Sequence, residues 1–472
     1  MSIRIIAVYL FVVGLSIYAW KDWFISLCGL ILLMAVIEHP DMPKTIFGIQ
    51  GFNLWNVLFL SVLLTWALSR RREGLTWDMP RHMNVLLLMY VGVIVVGFIR
   101  AVCDRSYIED YPLKDLISEE LINTIKWILP GILLFDGCRT RKRMIMAVFC
   151  VLAMYFLLAV QVIRCIPPDA AISGGWVMMN ARSNLDEEVG HHSTELATVL
   201  SGTCWGIIAV LPLIRLKRFR IGVLAAAGVV AFGLVLTGGR GGYVAWGATG
   251  LALCLLKWRK YLILAPVVVI LLPVMFPGAT ARMLTGFGQT DVAGQATVDN
   301  VAVTAGRTLF WPHIIDKIEE SPWVGYGRLA MQRTGLHEYL LRKYGPSEAV
   351  THPHNMYLQT LIDNGILGSI PVLLLFAVIV IYSASLFRSN NRLFSAVGGL
   401  ALALMLSHLI SGLSAEHYYP REHTLGVWVA AFLMLRIYVE KKHAQMDPIY
   451  TENFWNDQEL MRHQMAIASG YA

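Results

Sequence analysis

The chain has 472 residues, of which 56% are hydrophobic and 15% charged, where an ordinary soluble chain carries about 25% charged residues. Its mean hydropathy is +0.58, and its apolar residues fall in runs of about 17 to 22, the length needed to cross a hydrocarbon core of about 30 Å. This excludes a soluble enzyme, a disordered chain, a collagen and a single-anchor protein, and leaves an all-α polytopic membrane protein.

In chain order, apolar runs lie at roughly 4–20, 22–37, 51–69, 83–100, 119–136, 145–164, 195–214, 221–237, 243–258, 261–277, 355–387, 393–413 and 424–438. That is about 13 spans, or about 12 if one of the first is short or re-entrant. The first run, Ile5 to Trp20, has no small-residue cleavage site and reads as a retained helix. The chain carries 39 Lys and Arg against 32 Asp and Glu, a net charge of +7. Basic clusters follow every second run: Arg70-Arg71-Arg72, Arg139 with Arg141-Lys142-Arg143, Arg215 to Arg220, Lys257 to Lys260, Arg388 with Arg392, and Lys441-Lys442. By the positive-inside rule these are cytoplasmic, so the charge excess is topogenic and no nucleic-acid partner is expected. Residues 101–118, 165–194, 238–242, 278–353 and 414–423 then face outward, and counting back puts the N-terminus outside as well. The seven cysteines include no CxxC pair, so neither a disulfide framework nor a zinc site is expected.

The 278–353 segment is the one large extramembranous loop. Phe310, Ile314, Ile315 and Ile318 are spaced as in an amphipathic helix over 307–320, expected to lie on the membrane surface. Ser321-Pro322 and Gly325-Tyr326-Gly327 end it. A second short helix is expected over 336–344, stopped by Gly345-Pro346. The expected units are N-terminal helices and outer loops (1–194), a core with its large loop (195–387), C-terminal helices (388–443) and a polar tail (444–472).

Three outward places carry chemistry. Thr237-Gly238-Gly239-Arg240-Gly241-Gly242 is a tight turn whose arginine lies on the wrong side to be topogenic. Its glycines, Gly239 and Gly241 among them, remove bulk so that backbone N–H groups and a guanidinium can approach a large anion. The plainer reading is a hairpin whose arginine snorkels to lipid phosphate. Gly306-Arg307, with Trp311 and His313, puts an arginine where a helix begins, and helix N-termini favour anions. Its plainer reading is a solvated charge. His352-Pro353-His354-Asn355, leading to Gln359, puts imidazoles at a helix start, where the dipole keeps the ring neutral and able to take a proton. A metal role for His-x-His lacks a nearby acidic set. Arg182, Glu187, His191, His192 and Glu195 are further outward candidates, and His417, Tyr418, Tyr419, Arg421 and His423 crowd another outer loop. Lys126, inside a span, is expected to face a polar cavity. There is no P-loop, dinucleotide fingerprint, HExxH, GxSxG or Asp-x-Asp pair, so an anion would be neutralised by arginine, with neither metal nor cofactor.

These places, in this order, resemble the O-antigen ligase/polymerase superfamily. The resemblance covers roughly residues 195–380. It is carried by Thr237 to Gly241, by Gly306-Arg307 through Trp311, by Ser321-Pro322-Trp323-Val324-Gly325-Tyr326-Gly327, and by His354-Asn355-x-Tyr357-Leu358-Gln359 to Asp363-Asn364-Gly365-Ile366-Leu367-Gly368. It implies a GT-C-like helical fold with a large periplasmic loop in a bacterial inner membrane. It also implies a metal-independent, inverting glycosyltransferase that moves a glycan from undecaprenyl pyrophosphate to lipid A-core or another glycan acceptor. Catalytic roles fall on Arg240, Arg307 and His354, and substrate contacts on Gly239, Gly241, Asn355, Gln359, Trp311, Arg182 and His192. Many relatives carry an Asn-Pro-Asn-like element where this chain reads Gly190-His191-His192-Ser193-Thr194-Glu195-Leu196-Ala197, which leaves the subfamily open. A polymerase extending a lipid-linked repeat is the alternative within the class; a transporter or flippase is the alternative outside it.

Overall fold

The computed structural model describes residues 3–49, 51–172, 175–287, 289–290, 296–345 and 350–446. Most of the expected tail, and Pro346 of the expected helix stop, lie outside the described residues. Apart from a two-residue antiparallel pair, Gln289–Thr290 with Ala296–Thr297, the described regular elements are helical.

Every apolar run read from the sequence is occupied by helix. The first four hold Ile3–Tyr18 (α1), Trp23–Ile37 (α2), Leu54–Ser69 (α3) and Arg81–Cys103 (α4). The fifth is broken into Leu113–Leu116, a π-helical turn Ile117–Ile122, Asn123–Lys126 and Leu129–Gly137 (α5). Arg141–Cys165 (α6), Gly175–Val189 (α7), Ser193–Ala209 (α8), Lys217–Leu236 (α9) and Arg240–Leu256 (α10) follow, then Ala265–Met275 (α11) and Pro277–Met283 (α12). Arg307–Glu320 (α13) and Leu336–Tyr344 (α14) belong to the large loop. Met356–Phe387 (α15), Arg392–Ser411 (α16) and Leu425–Met446 (α17) complete the bundle.

Among the described residues, seven helices are long and apolar enough to cross a membrane, or eight if α11 and α12, bent by 105°, form one span. This is a multi-pass membrane protein. The remaining apolar runs are shorter: α1 to α3, at 15 or 16 residues, reach about 22–24 Å at 1.5 Å per residue. The fifth run breaks where Lys126 sits. Its ammonium lies 4.1 Å from the Trp127 ring centroid and 5.2 Å from that of Trp55, and it donates to Asn56 Oδ1 at 3.4 Å. Aromatic faces and an amide oxygen there surround the cation.

The bundle centre is built from α8, α16 and α17, whose apolar windows are mostly buried. Small residues let α8 and α16 touch, as in helix pairs packed without a hydrophobic drive. A Cβ on Gly202 would stand 2.9 Å from Leu404 Cα, and one on Gly206 would stand 2.7 Å from the Leu400 side chain.

The loop is anchored by a break in α15. At Gly365 the backbone turns to φ 62°, and two helical bonds are exchanged for four cross-bonds. Ile366 and Leu367 donate to Pro322 O and Trp323 O at 2.8 and 3.0 Å, while Tyr326 and Gly327 donate to Ile362 O and Asp363 O at 2.8 and 2.6 Å. Broken backbone is tolerated at membrane depth only where protein satisfies it. Gly365 and Gly325 are required by this close approach: a Cβ on either would come within 2.4 or 2.7 Å of opposing backbone. The Ser321–Gly327 and Asp363–Gly368 motifs are therefore two halves of one joint. Beneath it, α13 buries Phe310 and Ile314 against Ala330, Leu340 and Ile362, and leaves Ile315 exposed. The helix expected on the membrane surface thus packs its apolar face into a small core of the loop's own.

Candidate functional site

Three sequence-distant segments meet at the end of the bundle that carries the 278–353 segment. Arg240 opens α10, Arg307 opens α13, and His354 precedes α15. Ser414, just past α16, links the first two. Its carbonyl accepts from Arg307 Nη2 at 2.7 Å, and a Cβ on Gly241 would fall 2.1 Å from its hydroxyl. The glycine-rich turn is close-packed, not open. Gly239 and Gly242 let the turn press on Ala197 near the start of α8, where a Cβ would sit 2.5 Å from the Ala197 methyl. These glycines bring the arginine close to α8.

The guanidinium groups are held by neutral oxygens. Arg240 donates to Ala302 O at 3.1 Å and Thr285 O at 3.4 Å. Arg307 also donates to Thr304 O at 3.2 Å, and its Nε is buried without a partner. Arg182, on α7, donates to Ser193 Oγ from Nε at 3.0 Å and Nη2 at 2.6 Å. Arg282, on α12, also has a buried Nε without a partner. Among the described residues none of these four arginines pairs with a carboxylate, and their charges work against each other. Burial first, then Arg240, holds Arg307 below the usual guanidinium range. Burial, then Arg282 and Arg240, brings Arg182 down to about 10, with Tyr243 opposing. Uncompensated cations in a partly desolvated place are costly, and an incoming multivalent anion would relieve that cost.

His354 stands beside this cluster in a left-handed conformation, φ 49°. Trp311 fixes its approach by donating from Nε1 to Pro353 O at 2.9 Å. Asn355 is the N-cap of α15, accepting from Tyr357 and Leu358 N–H groups at 2.9 and 3.2 Å. The His354 ring centroid is 4.2 Å from that of His352 and 6.4 Å from that of Phe310. Burial, then His352 and Arg307, pushes the His354 pKa down to about 3, with Glu416 opposing. The ring is therefore neutral. His352 Nε2 lies 3.4 Å from Glu416 Oε2, and Arg421 Nη2 lies 3.3 Å from Glu416 Oε1.

Other candidates have different partners. His192 caps α8: its Nδ1 accepts from Thr194 N–H at 3.3 Å, and Glu195 Oε2 accepts from His192 N–H at 3.1 Å. Gln359 donates to Asp363 Oδ2 at 2.8 Å. Asp363 also accepts from Tyr419 Oη at 2.8 Å, and the Arg328 guanidinium covers the Tyr419 ring while paired to Glu120. This network supports the α15 joint. Arg282, Ser414 and Glu416 escaped the sequence reading. Arg282 sits in a Gly/Thr/Ala-rich stretch without a motif, and Glu416 lies next to histidines that drew notice while it did not.

The fold and site define a multi-pass membrane protein with a cationic cluster next to a neutral imidazole at one end of its bundle. Residues 223–373 match the family model for O-antigen ligase, a stretch that contains Arg240, Arg282, Arg307 and His354. This match supports the resemblance to the O-antigen ligase superfamily and a ligase/polymerase-type function in the broad sense. No curated protein matches the chain.

Proposed function

We propose that the protein is a glycosyltransferase of the periplasmic face of a bacterial inner membrane, moving a glycan from undecaprenyl pyrophosphate to an acceptor hydroxyl, with lipid A-core as the favoured acceptor. The observation that carries this reading is the convergence of Arg182, Arg240, Arg282 and Arg307, without a carboxylate partner among the described residues, beside His354. A lipid-linked diphosphate is the anion that fits: its charge lies at the membrane surface while its tail stays in the bilayer.

In the reaction, an acceptor oxygen attacks the anomeric carbon as the bond from that carbon to the phosphate oxygen breaks. The electron pair leaves with the pyrophosphate, and the acceptor proton passes to a ring nitrogen of His354. Arg240 and Arg307 stabilise the charge that grows on the leaving group. The diphosphate also acts on the base. A dianion beside His354 offsets the repulsion from Arg307 and raises the ring's proton affinity, so the imidazole becomes basic when donor is bound. A single displacement inverts the anomeric centre, and neither ATP nor metal takes part.

The test is reconstitution with a lipid-linked glycan and candidate acceptors, read by product size. One glycan block added to lipid A-core supports the ligase reading. A ladder on the carrier identifies a polymerase, and carrier flipping without bond transfer identifies a transporter.

A further inference from the structure

A second polar cluster lies at the start of α8, where the Gly190–Ala197 segment meets the segment that follows α16. Ligand atoms of His191, Glu195 and Glu422 all lie within 4.8 Å of one another. His191 Nδ1 is 3.9 Å from Glu195 Oε2, and His423 Nδ1 is 3.5 Å from Glu195 Oε1. Both imidazoles are 2% exposed, and both of these nitrogens are buried without a hydrogen-bond partner.

The tautomer of His423 follows from its neighbours. Thr198 Oγ1 donates to Thr194 O at 2.9 Å, so it can only accept from His417 Nε2 at 3.0 Å. His417 therefore carries its hydrogen on Nε2 and accepts on Nδ1. The donor to that Nδ1 is His423 Nε2, at 3.3 Å. A neutral His423 then points a bare Nδ1 lone pair at a carboxylate oxygen. Lone pair facing lone pair, with Glu422 as a second anion nearby, is repulsive unless a cation lies between them. The relay through His417 and Thr198 is also how metal-bound imidazoles are usually held, by a hydrogen bond from the far nitrogen.

We propose that His191, Glu195 and Glu422, with His423 against the second oxygen of Glu195, bind a divalent cation of the zinc class. An imidazole beside two carboxylates suits zinc better than calcium or magnesium, which prefer all-oxygen shells. Ligands drawn from both sides would tie the segment carrying Ser414 and Glu416 to the N-terminus of α8, so the ion is structural and takes no part in transfer.

The experiment uses the full chain in nanodiscs, stripped with chelator and then titrated with ZnCl2. It is read by elemental analysis and by thermal unfolding, so it stands or falls apart from the transfer reading. Zinc should be retained at about one ion per chain, and the unfolding midpoint should climb as free zinc rises. His191→Gln and Glu422→Gln should each weaken zinc binding about 10–100-fold while the metal-free midpoint stays near that of the wild type. A wild-type chain that keeps no zinc and shows no zinc-dependent midpoint would overturn the proposal, leaving protons as the cations of the cluster. Undiminished affinity in both variants, or a shift with CaCl2 or MgCl2 but not ZnCl2, would overturn it equally.

Discussion

Two sets of arginines in this protein live under opposite rules. Arg436, fully buried, reaches Asp78 with both terminal nitrogens, at 2.7 and 2.8 Å, and Glu440 at 2.7 Å. Arg139 pairs with Asp78 and Asp136, Arg143 with Glu73, Arg328 with Glu120 and Arg333 with Asp104. These hold helices together, and each brings its own anion. Arg182, Arg240, Arg282 and Arg307 are held by hydroxyl or carbonyl oxygens, or left partly unpartnered. The same side chain meets a carboxylate in one set and none among the described residues in the other, so the arrangement of anions, more than that of cations, sets the candidate site apart.

The sharpest way to break this contrast is to remove one arginine from each set. Arg436→Ala removes the buried cation shared by Asp78 and Glu440, leaving Asp78 to Arg139 alone, and should cost about 3–5 kcal/mol, seen as a large loss of folded protein in a thermal unfolding series. Arg240→Ala and Arg307→Ala should leave folding intact and cut glycan transfer about 100- to 1,000-fold in a reconstituted assay. Should Arg307→Ala unfold the chain as Arg436→Ala does, the two sets would be one. Trp311→Phe sharpens the picture on a smaller scale. It removes the bond to Pro353 O that fixes the approach to His354, worth about 1 kcal/mol, and should slow transfer roughly fivefold with donor affinity preserved.

The smallest effect is an absence of change. With its pKa pushed down to about 3, His354 in the donor-free protein is neutral throughout pH 5 to 8. The profile of kcat/KM, which reports the free enzyme, should therefore show no acid limb near 6.5. Stability carries the opposite signature. An imidazole that resists protonation in the fold but accepts it when unfolded favours the unfolded state below about pH 6.5, so the unfolding midpoint should fall as pH drops through that value. A transfer limb at 6.5 would show that another histidine supplies the base.

The apolar runs were legible because each is dense in apolar residues, and each became helix; which of them fall short of a full span, or break as the fifth does at Lys126, was not. Arg240, Arg307 and His354 drew notice as candidates because the expected topology gives a polar residue at each place no ordinary reason to be there. The packing of the glycines around Arg240 was not legible: Ala197, which Gly239 and Gly242 meet, is more than forty residues away in sequence, and Ser414, which Gly241 meets, is farther still. Arg282, Glu416 and the Asp363–Tyr419–Arg328–Glu120 network follow the same logic, since only the folded chain brings such distant groups together. The Ser321–Gly327 and Asp363–Gly368 motifs suggested a family, but their pairing with each other had no local sign.

That pairing has a bearing on how such loops can vary. Four amide bonds are made in register between the two arms, and Gly325 and Gly365 sit where neither arm tolerates a methyl group. Inserting or deleting one residue in either arm would mismatch all four together. A chimera that grafts a foreign extramembranous segment onto this bundle must therefore carry both arms over as a unit, and a graft cut inside the joint would leave α15 split with nothing to fill the gap.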